Sequence, residues 1–258
     1  MWEVTEISKT PKIKEAILIS GLPGIGNTGK IAVDFLLDQL KPKELCDFYS
    51  YHLPHSVFIN EDNLVELPKI RLGYVKTKKG PDLLLLFGDI QPIDESSSHA
   101  FANLLLDMCQ KMNVKTIITL GGIGMSQMPK DPKVYVTGNS KEIVKEYKLA
   151  STRTKIRGIV GPIIGLTGLL VGLAKKYDIP SVTYLSESFA HPLHIGTREA
   201  GELLKILKEK LSLKIDLKKF KSDLKNVEKK ARITKKDQIQ IKSDNTKRTS
   251  YIGWLNIF

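Results

Sequence analysis

Along most of this chain, short uninterrupted apolar or β-branched runs alternate with amphipathic stretches. Runs at 16–20, 83–87, 116–120, 156–160 and 181–185 predict strands, and segments 30–40, 99–112, 141–147, 168–177 and 197–211 carry the three-to-four spacing of helices. Strands that are apolar at every position are covered on both faces, so their alternation with helices predicts an α/β fold with a mostly parallel sheet covered by helices on both sides. Four predicted strands end in glycine: Ser20-Gly21, Phe87-Gly88-Asp89, Leu120-Gly121-Gly122 and Val160-Gly161-Pro162. Because ligands of open α/β sheets bind at the carboxyl ends of strands, these turns mark a possible groove lined by Gly24, Gly26, Gly29, Asp89, Gly121 and Gly122. The alternative is that they are simply tight turns from strand to helix.

Past residue 211 the pattern changes. Leu213, Leu217, Phe220, Leu224, Val227 and Ala231 step by four and three, and the seam then weakens through Thr234, Gln238 and Ile241. This is the stripe of a helix laid against another helix or against the body, either a simple packed helix or a short coiled coil. Leu213, Leu217, Phe220, Leu224 and Val227 are the candidate oligomer contacts. The final segment, "SDNTKRTSYIGWLNIF", begins polar and closes with Tyr251, Ile252, Trp254, Leu255, Ile257 and Phe258. An apolar end on a polar tether docks on this chain or on another protein. The chain thus divides into an α/β domain at 1–212, an amphipathic helix at 213–242 and a tail at 243–258.

Charge sharpens this division. Of a net +12, the stretch 205–248 holds 16 basic and 6 acidic residues, leaving 24 and 22 elsewhere. The body is near neutral and the extension is basic. Its lysines alternate with Asp and Glu, which describes a solvated helical face rather than a track for nucleic-acid phosphates. Cys46 and Cys109 lack metal-ligand spacing and sit among apolar neighbours, as reduced core cysteines do. The start, "MWEVTEISKTPKIKEAILIS", lacks the apolar core of a signal peptide, and the other apolar runs are too short or too interrupted to span a bilayer. A cytoplasmic protein is expected.

Candidate chemistry is sparse. In "SGLPGIGNTGKI", Gly24-x-Gly26-x-x-Gly29 has dinucleotide-loop spacing and Gly24-x4-Gly29-Lys30 has P-loop spacing. Yet Ile31 stands where a P-loop needs Ser or Thr for magnesium, Pro23 removes an N–H, and no acidic residue closes a strand about twenty residues on, Asp47 being followed by "FYSYH". His52 with His55, and His191 with His194, lie in proline-containing loops and are read as ordinary loop histidines rather than metal ligands. The serines of "ESSSH" and "LSESFAH" lack a nucleophile elbow, and Ser96 to Ser98 are read as helix caps. No catalytic residue, metal or cofactor is expected.

The segments "ILISGLPGIGNTGKIAVDFLLDQL", "PHSVFINEDNLVELPKIRLGYVK", "DLLLLFGDIQP", "TIITLGGIG" and "GPIIGLTGLLVGLAKKYDIPSVTYLSES" together resemble the PAC2 family, in particular archaeal proteasome-assembly chaperone homologues, over about residues 14 to 212. The resemblance implies a nucleoside phosphorylase- or hydrolase-like α/β fold without an established catalytic centre. It further implies homo-oligomers and binding to proteasome α subunits or α-rings. Some relatives insert a C-terminal hydrophobic-Tyr-any motif into pockets between α subunits. This chain departs from that motif, ending Asn256-Ile257-Phe258 with Tyr251 upstream, so Tyr251, Trp254, Ile257 and Phe258 are the candidate anchors. The alternative reading is an enzyme binding a nucleotide or nucleoside in the glycine-rich groove, since related sequences have been labelled ATP-grasp-like.

Overall fold

A computed structural model describes residues 2–60, 62–92, 94–159, 161–220 and 222. One compact unit spans Met1–Asp216 and a second Leu217–Phe258. In chain order the first contains β1 (Glu3–Glu6), β2 (Ala16–Gly21), α1 (Thr28–Leu40), β3 (Lys43–Tyr49), β4 (Phe58–Ile59), β5 (Val65–Glu66), β6 (Ile70–Val75) and β7 (Asp82–Gly88). There follow α2 (Glu95–Lys111), β8 (Val114–Met125), β9 (Val134–Gly138), α3 (Lys141–Tyr147), β10 (Thr152–Arg153), α4 (Leu166–Ala174), β11 (Ser181–Phe189) and α5 (Thr197–Lys210).

The parallel sheet expected from the apolar runs is the centre of a wider one. Its order is β1-β3-β6-β7-β2-β8-β11-β9-β10, and β7, β2, β8 and β11 are mutually parallel. Antiparallel pairings of β6 with β7, β3 with β6, β1 with β3 and β9 with β11 extend it on either side. Alternation along β2 divides the core. Ala16 and Leu18 join Leu84, Leu86, Phe101, Leu105 and Leu170 under α2 and α4. Ile17, Ile19 and Gly21 face the other way, where a methyl on Gly21 would meet Val33 of α1. There α1 packs beside α5. Each fully buried Leu or Ile of these layers contributes about 1.5–3 kcal/mol relative to exposure.

Cys46 and Cys109 are buried and unpaired with each other. Burial, with Asp47 and Glu6 nearby, pushes the Cys46 thiol up to about 11, and burial alone pushes Cys109 to about 12. Asp82, at the start of β7, is buried and anchors the β6–β7 turn. Burial opposes its charge, but hydrogen bonds from the Thr77 N–H, the Tyr74 hydroxyl and Lys76 outweigh this and hold its carboxyl below the usual range.

Three expectations need correction. Of the run at 156–160, the described residues 156–159 form no strand. Ile159 N–H bonds back to the Ile156 carbonyl around Gly158 at φ 86°, and Arg157 and Ile159 are exposed, so the segment is a turn in the loop leading to α4. The cap of α2 is Asp94, whose side chain accepts from Ser97 N–H; Ser96, Ser97 and Ser98 lie inside the first turn. Leu213 is not on a helix: Ser212, at φ 51°, ends α5, and Leu213 N–H closes onto the Lys208 carbonyl. Leu217 and Phe220 are helical, whereas Leu224 and Val227 lie outside the described residues.

Candidate functional site

The glycine loop is shaped by how tightly it must lie on the sheet. After β2, a single 3₁₀ turn at Ile25–Asn27 carries Gly26 at φ 61° and Asn27 at φ 51° and delivers the chain into α1. A methyl on Gly29 would stand 2.4 Å from the Leu120 carbonyl oxygen, and one on Gly122 would stand 2.5 Å from that of Ile25. Both glycines therefore exist for close approach of α1 and its turn to β8. Gly24 has open space around its Cα, and Gly26 abuts Ser188 of β11.

Beside this turn, at the carboxyl ends of β2, β8 and β11, lies a cavity of about 510 Å³. Gly24, Gly29, Gly121 and Gly122 line it; Gly26 and Asp89 do not. Its other wall is the loop before α4, with Gly161, Pro162, Ile163 and Ile164. Gln91, which the sequence reading did not single out, joins the two walls. Its Nε2 donates to the Pro23 carbonyl at 2.9 Å and its Oε1 accepts from Leu166 N–H at 3.2 Å. The available signal was its position just past the Gly88-Asp89 strand end.

Electrostatics separate this cavity from a P-loop site. No charged side chain is among its described lining residues. Lys30, the residue in the P-loop lysine position, is bound to Asp34 one turn along α1, at 3.1 Å, with Asp89 at 4.0 Å. Burial raises the Asp34 carboxyl despite that lysine. Asp89 accepts from Lys69 N–H at 3.3 Å and so braces β6 against β7. What remains around the cavity is backbone, apolar surface and the side chains of Thr28, Thr167 and Gln91 where the amino ends of α1 and α4 converge, which offers N–H and hydroxyl groups but no carboxylate, imidazole or amine among the described lining residues.

The other candidates are also placed. His52 Nδ1 lies 3.2 Å from Asp94 at the head of α2. His194 Nε2 lies 2.7 Å from Glu199, both largely buried, and His191 Nδ1 accepts from Leu193 N–H while its ring stacks on Phe189. Among the described residues no group of three His, Cys, Asp or Glu is arranged to hold a metal. Ser186 and Ser188 are buried with hydroxyls that have no hydrogen-bond partner, so neither is paired with a histidine base. No described helix is long and apolar enough to cross a membrane. The candidate anchors Tyr251, Trp254, Ile257 and Phe258 lie outside the described residues.

A sheet of this order, with a glycine turn packed on β8 and an uncharged cavity beside it, is matched by the family model "PAC2 family" over residues 18–233. The chain belongs to the PAC2 family. Among PAC2 structures and their neighbours, it superposes on Pyrococcus furiosus PbaB, an archaeal proteasome activator, with TM-score 0.81 and 28% identity, covering 91% of this chain and 98% of that one. P. furiosus PbaA, an archaeal homologue of proteasome-assembly chaperone, shares the fold at TM-score 0.74 and 21% identity, over 95% and 97% of the two chains. A Mycobacterium tuberculosis proteasome-assembly chaperone homologue shares it at TM-score 0.65 and 19% identity, over 84% and 94%. In sequence, the chain is 26% identical over 176 residues to an uncharacterised protein of Methanocaldococcus jannaschii, 68% of this chain and 67% of the other.

Proposed function

We propose that this PAC2 protein is a non-enzymatic proteasome-assembly chaperone. Its α/β bodies associate with copies of themselves, and its basic C-terminal extension presents apolar anchors to proteasome α subunits or an α-ring. The observation that carries this reading is the likeness to PbaB over nearly the whole of both chains. The uncharged glycine cavity supports it from the other side, since it supplies no catalytic group. Tyr251, Trp254, Ile257 and Phe258 are the anchors, because buried aromatic residues dominate binding energy at protein interfaces. Several anchors on one oligomer raise the effective concentration of each, so modest single contacts add to firm binding.

The test is native mass spectrometry of the full chain with α subunits from the same organism, beside a chain ending at Ser250. A complex formed by the full chain and lost on truncation is the expected result. Failure of both forms to bind would overturn the reading. The cavity favours one other reading, capture of a nucleoside or nucleotide by the exposed backbone donors. It predicts a raised melting temperature with such a ligand, since a ligand at a hundred times its Kd adds about 2.7 kcal/mol.

A further inference from the structure

Exposed large apolar side chains are not spread evenly over the Met1–Asp216 unit. Apart from Val4 and Ile7, all those described fall in loops and turns at the carboxyl edge of the central strands, or in the β4–β5 hairpin that springs from it between β3 and β6. In that hairpin Val57, Phe58, Ile59, Leu64, Val65 and Leu67 are all exposed, Ile59 and Val65 by about 70%. The hairpin is nevertheless a built element. Phe58 pairs with Glu66 and Ile59 with Val65, the Asn60 side chain accepts from the Asp62 and Leu64 N–H groups, and it donates to Glu66 at 2.8 Å. Two strands with neither face covered are marginal in water, so this hairpin calls for a partner surface.

Charge identifies the partner. Residues 56–68 contain three acids and no base. At the opposite end of the sheet, where β10 closes it, residues 148–159 contain Lys148, Arg153, Lys155 and Arg157 and no acid. All four bases are exposed, and none forms an ion pair among the described residues. Lys148, Arg153 and Lys155 line a depression of about 380 Å³ with Tyr135 and Ile159. One chain therefore carries an exposed acidic, apolar hairpin near one end of its sheet and a basic, partly apolar depression near the other.

We infer that the β4–β5 hairpin of one copy docks into the 148–159 loop of the next, a head-to-tail contact between copies of this chain. Like-charged hairpins meeting across a two-fold axis would repel, whereas the head-to-tail arrangement pairs Asp62 and Glu66 with Lys155 and Arg157 and covers Ile59 and Val65. Repeated, such a contact closes into a ring if the rotation per copy divides a full turn. This rests on the proposed self-association of the bodies and assigns its contact to this hairpin and loop rather than to the C-terminal helix.

Charge reversal tests it on the full chain. Variant A is Asp62→Lys with Glu66→Lys, giving basic hairpin and basic loop; variant B is Arg153→Glu with Lys155→Glu and Arg157→Glu, giving acidic hairpin and acidic loop. By sedimentation velocity, each alone is expected to associate at least about tenfold more weakly than the parent chain. An equal mixture is expected to regain association in an alternating order, which also shows that both variants are folded. Undiminished association of either variant alone, or no recovery in a mixture of variants whose far-ultraviolet circular dichroism matches the parent, overturns the inference. So does a parent chain that stays monomeric. If that monomer, or either associating variant, still forms the α-subunit complex, the chaperone reading survives while this contact does not.

Discussion

At the scale of single residues, the glycine loop is explained by distance. Gly29 is required because helix α1 sits within methyl range of the Leu120 carbonyl, whereas Gly24 borders open space in an extended conformation, φ −170°. Gly29→Ala is expected to lower the unfolding free energy by about 1–3 kcal/mol in urea titrations, the cost of overpacking, and Gly24→Ala to leave it nearly unchanged. A phosphate-cradling loop would show the reverse ranking in ligand affinity. Asp82 gives a pH-dependent counterpart. Its folded pKa lies below the ordinary unfolded value of about 3.9. The stability it contributes is therefore present above that value and is lost as pH falls through its lowered folded pKa. The stability gap between the parent and Asp82→Asn, measured by denaturant unfolding across pH 6 to 2, should shrink over that acid window.

Elements were legible in proportion to how completely they are buried. The runs that became β2, β7, β8 and β11 are mostly buried on both faces, and their shortness and β-branched or Leu-rich content between helical patterns mark them as strands of a covered sheet. The flanking strands β1, β3, β6 and β9 carry mixed sequences because one or both of their faces are less covered, so no clean run marks them. The turn at 156–159 misled for the converse reason: Ile156 and Ile159 read as strand positions, but Ile156 packs from the loop onto Ile123, Tyr135 and Leu185 of the sheet, and Ile159 lines the edge of the groove. Capping was likewise displaced by one turn. The helix α2 is capped by Asp94, and Asp94→Ala should cost about 1 kcal/mol in thermal or chemical unfolding while Ser96→Ala, at an exposed position, should cost almost nothing.

For the whole molecule, the sequence marked the groove's glycines but not the depth of the cavity or the residue that bridges its walls. Gly121 and Gly122 follow β8's apolar run and could be placed at the sheet edge by counting. Gln91 could not, because its two hydrogen-bond partners lie 68 and 75 residues away in the chain. The hairpin at 58–66 was invisible for a related reason, since its apolar residues imitate a buried pair of strands and only the fold reveals that nothing in the described body covers them.

The two ends of the sheet have a further consequence. One terminates in β1, four exposed residues of which two are glutamates, and the other in β10, two residues long and including Arg153. Neither offers the long, flat, neutral row of unpaired backbone groups that recruits strands from other molecules. The ends of the sheet are thus poor templates for edge-to-edge pairing, so fusion of sheets between neighbouring copies finds little purchase there.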